Sequence, residues 1–384
     1  MSFLDKVLKI KNHTNWQPDF QRFIRAITSA EPGPVPFGDI FADHETVGNH
    51  LGERVFDYSR MAADPDHRIT SRDFLDGLKY IDQTIRFCLD MGWDYAYSFS
   101  NIQFKNFTYR LADDTSNENP NKRKRYWVTD NTGPIRNWDD FNAYPWQQDA
   151  NNINMSSRFM AKRVPEGMKV MVIPGGVFEW STMLMGFTPF CKAMKKEPDL
   201  VSAVISKVSE QIMNVIQDII HEPGIGGIFM GDDLGFYSGT LVSPAFIRQK
   251  ILPEMKKAID LVHGAGKVFI LHSCGNLEKI MDEIIDIGID AKHSFEDKIM
   301  PVEQAHQRWS DRTGIVGGLD IHLLTTGTEE QVRKRTRQIL DACGSKGRYV
   351  LGTGNSVANY VPLTNYRAML DEGRKWNLKH FGQT

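Results

Sequence analysis

From about residue 71 the chain repeats one pattern: helical segments alternate with short apolar runs that end in polar or glycine-rich turns. The runs are DYAYSFS, MKVMVIPGG, GIFMGDD, KVFILHSC, IDAKHSFED, GIVGGLD and RYVLGTG. Strands that are apolar throughout are buried on both faces, and helical crossovers join parallel neighbours, so the pattern specifies an α/β protein with a parallel sheet. Its length and regularity favour a closed (β/α)8 TIM barrel over a doubly wound sheet, with an eighth strand in the weaker regions.

Helix signals support the alternation. Ser71 can cap a helix that runs to Gly92, and Val201, Val204, Val208, Ile212, Val215 and Ile219 mark one apolar face. Ser243 followed by Pro244 opens another helix, which ends near Gly264 and should kink at Pro253. Thr328 and Gln331 form a capping-box pattern ahead of a helix ending at Cys343. Residues 1–70 read as an N-terminal extension packed on a barrel of residues 71–384. An inserted β-hairpin is expected at about 104–136, its Lys-Arg-Lys-Arg run at 122–125 forming a solvated face.

At 384 residues a sizeable core is available, and the net charge of −2 provides no global field for nucleic acid or an anionic membrane. No apolar run approaches the roughly 18 residues of a spanning helix, and the expected location is cytoplasmic. Cys88, Cys191, Cys274 and Cys343 are too scattered for a disulfide framework. Cys88 and Cys343 sit in amphipathic helical patterns as small hydrophobes, whereas Cys274 has polar neighbours.

In a barrel the C-terminal strand ends share one face, and that face carries the chemistry. Here it receives Ser98 and Asn101, Asp232 and Asp233, His272 and Cys274, His293 and Glu296, and Asn355. Residues 272 and 274 are two apart on an extended chain, so both side chains point the same way. A thiolate and an imidazole suit Zn2+, with Asp232, Asp233 or Glu296 available as further ligands or catalytic groups. A Cys–His nucleophile pair is the competing chemistry. For Asp232 and Asp233 the structural alternative is to cap a helix or pin the loop GDDLGFYSG. Tyr97, Asn101, Trp180 and Asn355 are the candidates for holding substrate, Tyr95 and Phe99 being further aromatics for an apolar pocket or the core.

The stretch from Gly231 to Asn276, with GGLD and GRYVLGTGNSVANYVPLTNYRAML, resembles the uroporphyrinogen decarboxylase superfamily from about residue 36 onward. The resemblance implies a (β/α)8 barrel and either porphyrinogen decarboxylation or methyl exchange with corrinoid proteins. The decarboxylase branch carries an arginine-rich N-terminal signature, but VPFGDIFADHETVGNHLG has no arginine before Arg54. The methyltransferase branch has a zinc site beginning His-x-Cys-Gly-Asn, matched by His272-Ser273-Cys274-Gly275-Asn276. Members acting on thiols take a further cysteine from the turn after the last strand, which here is Gly352-Thr353-Gly354-Asn355.

The resemblance therefore implies a methyltransferase, with methoxylated aromatics as the first choice of methyl donor. Zinc is expected on His272, Cys274 and a carboxylate, Glu296 included. No Asp-x-His-x-x-Gly cobalamin signature is present, so the corrinoid is expected from a partner protein; a homodimer is compatible. Methyl-corrinoid to thiol transfer and decarboxylation are the alternatives.

Overall fold

The structure is a computed structural model that describes residues 8–56, 70–102, 104–113, 124–147 and 153–382. Its centre is a seven-stranded parallel sheet of β1 (Tyr95–Phe99), β4 (Lys169–Ile173), β5 (Ile225–Gly231), β8 (Val268–His272), β9 (Ala291–His293), β10 (Gly314–Val316) and β11 (Tyr349–Val350), in that spatial order. All seven apolar runs supply strands. Two short antiparallel pairs interrupt the numbering: β2 (Tyr109–Asp113) with β3 (Lys124–Val128), and β6 (Gly235–Phe236) with β7 (Gly239–Thr240). The first pair falls where a hairpin is expected, while Lys122 and Arg123 of its basic run lie outside the described residues.

The gap between β11 and β1 is spanned by one residue. Phe37 makes isolated parallel bridges to both Trp93 and Leu351, and the hydrogen bonds Gly38 N–H to Leu351 O and Leu351 N–H to Pro36 O flank it. Phe37 is fully buried, so the closure is packed as well as hydrogen-bonded.

The helices follow their sequence signals with two informative differences. The helix Ser71–Met91 is capped by Thr70, not Ser71, because Thr70 and Asp73 form a reciprocal capping box. Ahead of Pro253 the helix widens into a π turn over Ile247–Ile251 before continuing as Leu252–Gly264. Proline lacks the N–H for an ordinary helical bond and its ring crowds the preceding turn, and the wider turn relieves both. The capping box of Thr328 and Gln331 on the helix Glu329–Cys343 is present, and Cys88 and Cys343 are buried. No helix among the described residues is long and apolar enough to cross a membrane.

Sheet register sets the site. Gly231 pairs with His272, and His272 with His293, so three neighbouring strands end level.

Candidate metal centre

Asp232 and Asp233 follow β5 directly, and adjacent residues on extended backbone send their side chains opposite ways. Asp232 turns inward. It is fully buried, and its carboxylate accepts the N–H groups of Phe178 (3.1 Å) and Glu179 (2.9 Å), the first turn of the helix Val177–Met185. Asp232 thus occupies the capping place left open by the sequence. Burial pushes its carboxyl up to about 7, against the pull of those N–H donors.

Asp233 turns toward His272 and Cys274. One ligand atom from each of the three lies within 4.8 Å of the others. His272 Nε2 is 3.5 Å from Cys274 Sγ and 3.6 Å from Asp233 Oδ1, and the Cys274 N–H donates to Asp233 Oδ1 at 2.7 Å. The side chains two apart in sequence do share one face. Burial first, and His293 second, press the His272 imidazole down to about 3, so it is neutral with a lone pair to offer. Burial, reinforced by Asp233, raises the Cys274 thiol to about 12. A metal-free thiol there keeps its proton, which a coordinating cation would displace.

Sulfur, imidazole nitrogen and carboxylate oxygen converging on one point fit zinc in a three-ligand site with an open fourth position. The same geometry does not activate Cys274 as a nucleophile, because neutral His272 and the nearby carboxylate leave the thiol protonated. Two polar groups approach the sulfur from outside the trio: Asn355 Nδ2 at 3.3 Å and Ser294 Oγ at 3.6 Å. The turn after β11 therefore brings an amide to Cys274. Cys343, at the end of its helix, is not in the group.

Glu296 is also outside the trio and instead lines a neighbouring cavity of about 30 Å³ with Lys292, Leu277 and Trp309. Ser294 has φ 83°, and this left-handed kink just after β9 turns the chain so that Ser294, not Glu296, reaches Cys274. Among the substrate candidates, Tyr97 is a core residue: it is buried, donates to the Ala42 carbonyl at 2.9 Å and packs against Trp93. The Asn101 N–H donates to the Ile153 carbonyl. Trp180 stands on Phe104 and Phe107, with ring centroids at 4.9 and 6.2 Å, and Gly175 passes its indole where a side chain would collide.

Three further residues shape the centre. Glu179 lies against Asp233 and Asp232, and burial plus those charges push its carboxyl well above the usual range. Lys292 is buried, donates to the Ser294 carbonyl and sits 4.3 Å over the Phe295 ring; burial lowers its amine to about 8. Asp39, two residues past Phe37, lies 3.7 Å from His293 Nε2, and His293 Nδ1 is 2.8 Å from His272 Nδ1. In sequence, an acid after a Gly-Gly turn at a strand end marks Glu179; nothing comparable marks Asp39.

Comparison with known proteins agrees with this architecture. A methyltransferase structure from Methanosarcina mazei superposes with a TM-score of 0.64 at 15% identity, covering 89% of this chain and 94% of that one, a likeness of fold. The methylcobamide:CoM methyltransferase MtaA of Methanosarcina barkeri (strain Fusaro / DSM 804) is 25% identical over 207 residues. That alignment takes in 53% of this chain and 58% of that protein, so the chain spans somewhat over half the length of this relative. Residues 130–376, more than half of the chain, match the uroporphyrinogen decarboxylase (URO-D) family, and the protein belongs to that family.

Proposed function

We propose that this protein is a corrinoid-dependent methyltransferase that takes a methyl group from a methoxylated aromatic compound and passes it to the corrinoid of a partner protein. The observation that carries this reading is the carboxylate of Asp233 beside His272 and Cys274, where a thiol-activating relative would be expected to use a second sulfur. His272, Cys274 and Asp233 would hold zinc. Bound there, zinc would supply Lewis acidity, and an oxygen ligand in place of sulfur makes it the harder acid that suits an ether oxygen.

The protein's own groups account for the rest. Trp180, braced by Phe104 and Phe107, offers an aromatic wall for a ring-shaped substrate. Glu179 borders Asp233, and burial together with the charges of Asp233 and Asp232 pushes its carboxyl well above the usual range, which makes it the candidate general acid for the departing phenoxide oxygen. Asn355 and Ser294 steady the Cys274 sulfur by hydrogen bonds.

A second reading has one specific support: MtaA is by name a methylcobamide:CoM methyltransferase, which favours transfer from methyl-corrinoid to a thiol. One assay separates the two. The protein is mixed with a reduced corrinoid protein and a panel of methoxylated aromatics, and separately with methylated corrinoid protein and small thiols, while the cobalt spectrum is followed. Methylation of cobalt by a methoxyarene supports the proposal. Demethylation of cobalt by thiols alone replaces it with the second reading, and loss of carboxylates from uroporphyrinogen would move the protein to the decarboxylase branch.

A further inference from the structure

We propose that Asp39 and His293 are positioning residues that hold His272 in the tautomer with its proton on Nδ1, leaving the Nε2 lone pair open to Cys274 and Asp233. The inference rests on the reading of His272 as a metal ligand.

Donors and acceptors succeed one another along one buried line. Asp39 and His293 are both fully buried. Asp39 Oδ1 accepts the Thr353 N–H at 2.7 Å and the Thr353 hydroxyl at 2.9 Å, and Oδ2 accepts the Tyr366 hydroxyl at 3.0 Å. Burial raises the Asp39 carboxyl to about 7, but Oδ1, which already takes two donors and is the atom nearest His293, faces its neighbours as an acceptor whether or not Oδ2 carries a proton. A neighbour of Oδ1 is His293 Nε2, at 3.7 Å, which has no hydrogen-bond partner among the described residues; the Thr353 carbonyl is a second acceptor beside His293. Both acceptors favour a proton on His293 Nε2.

A neutral imidazole carries one ring proton, so a proton on Nε2 leaves His293 Nδ1 as an acceptor. His272 Nδ1 is 2.8 Å away and must then be the donor. His272 Nε2 is left without a proton, 3.5 Å from the Cys274 thiol and 3.6 Å from Asp233. The opposite polarity would turn the His293 lone pair toward Asp39 and aim a proton from His272 into the cluster. Without a metal ion Asp233, 3.6 Å from His272 Nε2, pulls the other way; the Cys274 thiol at 3.5 Å can donate to the His272 Nε2 lone pair, whereas His293 Nε2 faces two acceptors, and this balance selects the first arrangement.

The line also joins distant parts of the chain. Asp39 follows the Phe37 closure, Thr353 follows β11, His293 ends β9 and His272 ends β8. Ligand histidines whose second nitrogen is held by such a partner typically lose 10–100-fold in metal affinity when the partner is removed.

The test compares His293→Leu, which removes the acceptor, with His293→Asn, whose amide oxygen can take the place of Nδ1. Zinc affinity is measured by competition with a chromophoric chelator. The His272 tautomer is read from two-bond 15N–1H correlations in metal-free, ring-labelled protein, its signals assigned by their loss in His272→Gln. The expected results are a proton on His272 Nδ1 in the unmodified protein, a 10–100-fold weaker zinc affinity in His293→Leu, and near-complete retention in His293→Asn. A His272 proton on Nε2, or equal zinc affinity in the two variants, overturns the proposal. If His293→Leu fails to fold, Asp39→Asn takes its place: it should shift the tautomer signal and weaken zinc, and an unchanged signal overturns the proposal. Protein that binds no zinc refutes the metal reading by itself, because the tautomer is measured without metal.

Discussion

Gly176→Ala should be among the most damaging small substitutions in this protein, although the backbone at Gly176 (φ −110°, ψ 154°) is open to any residue. The reason is contact. A Cβ at this position would stand 2.2 Å from both Cγ and Oδ1 of Asp232 and 2.3 Å from its Cβ. Asp232 cannot yield freely, because it is fully buried and holds the Phe178 and Glu179 N–H groups. Overpacking of a core costs about 1–3 kcal/mol, and two displaced hydrogen bonds to a buried carboxyl about 1 kcal/mol or more each. The expected loss is therefore about 3–5 kcal/mol, read from urea unfolding of variant and parent. Asp233 is the next residue, so zinc affinity should fall with it. Gly264→Ala is the matched control: nothing among the described residues lies within 4 Å of its added Cβ, it closes a helix, and it should be neutral or stabilise by up to about 1 kcal/mol. A Gly176→Ala loss below about 1 kcal/mol would refute the reasoning.

Cys274→Ala and Asp233→Ala should each strip zinc from the protein after dialysis, as read by elemental analysis, while Cys343→Ala should leave the metal content unchanged. Lys292→Met should alter the pH dependence of stability. Burial holds the Lys292 amine at about 8 against an ordinary 10.5, so between those values the unfolded chain carries a proton that the native state lacks. Stability then rises with pH across that window. The variant should lose this slope and be more stable at pH 7 by about 1–3 kcal/mol, measured by denaturation at a series of pH values. Thr328→Ala removes the acceptor for the Gln331 N–H (3.3 Å) and should cost about 1 kcal/mol, visible as a lowered melting temperature.

The fold was largely legible because parallel strands advertise themselves. Val268–His272 and Ile225–Gly231 are buried on both faces, so their apolar character is continuous, and helix starts such as Ser243-Pro244 and Thr328 carry explicit caps. The closure was not legible, because Phe37 makes its bridges as a single residue and leaves no periodicity to read. Asp39 went unrecognised with it. Within the centre, the spacing of His272 and Cys274 was enough to place both on one face. The division of labour between Asp232 and Asp233 was not, since it depends on which neighbour points into the helix start. The Gly-Gly turn before Glu179 is a signal of weak specificity, because an acid in a first helical turn ordinarily answers the helix dipole. Glu296 was favoured by its position after β9, and only the kink at Ser294 redirects the chain.

The single-residue closure at Phe37 has a dynamic consequence. The seam of the barrel and its reactive centre are mechanically one place, since Thr353, Asp39, His293 and His272 succeed one another from that seam inward. Breathing at the seam, visible as amide exchange at Gly38 and Leu351, would loosen the imidazole in step, and a ligand gripping His272 would quiet exchange two residues away from Phe37 and beyond.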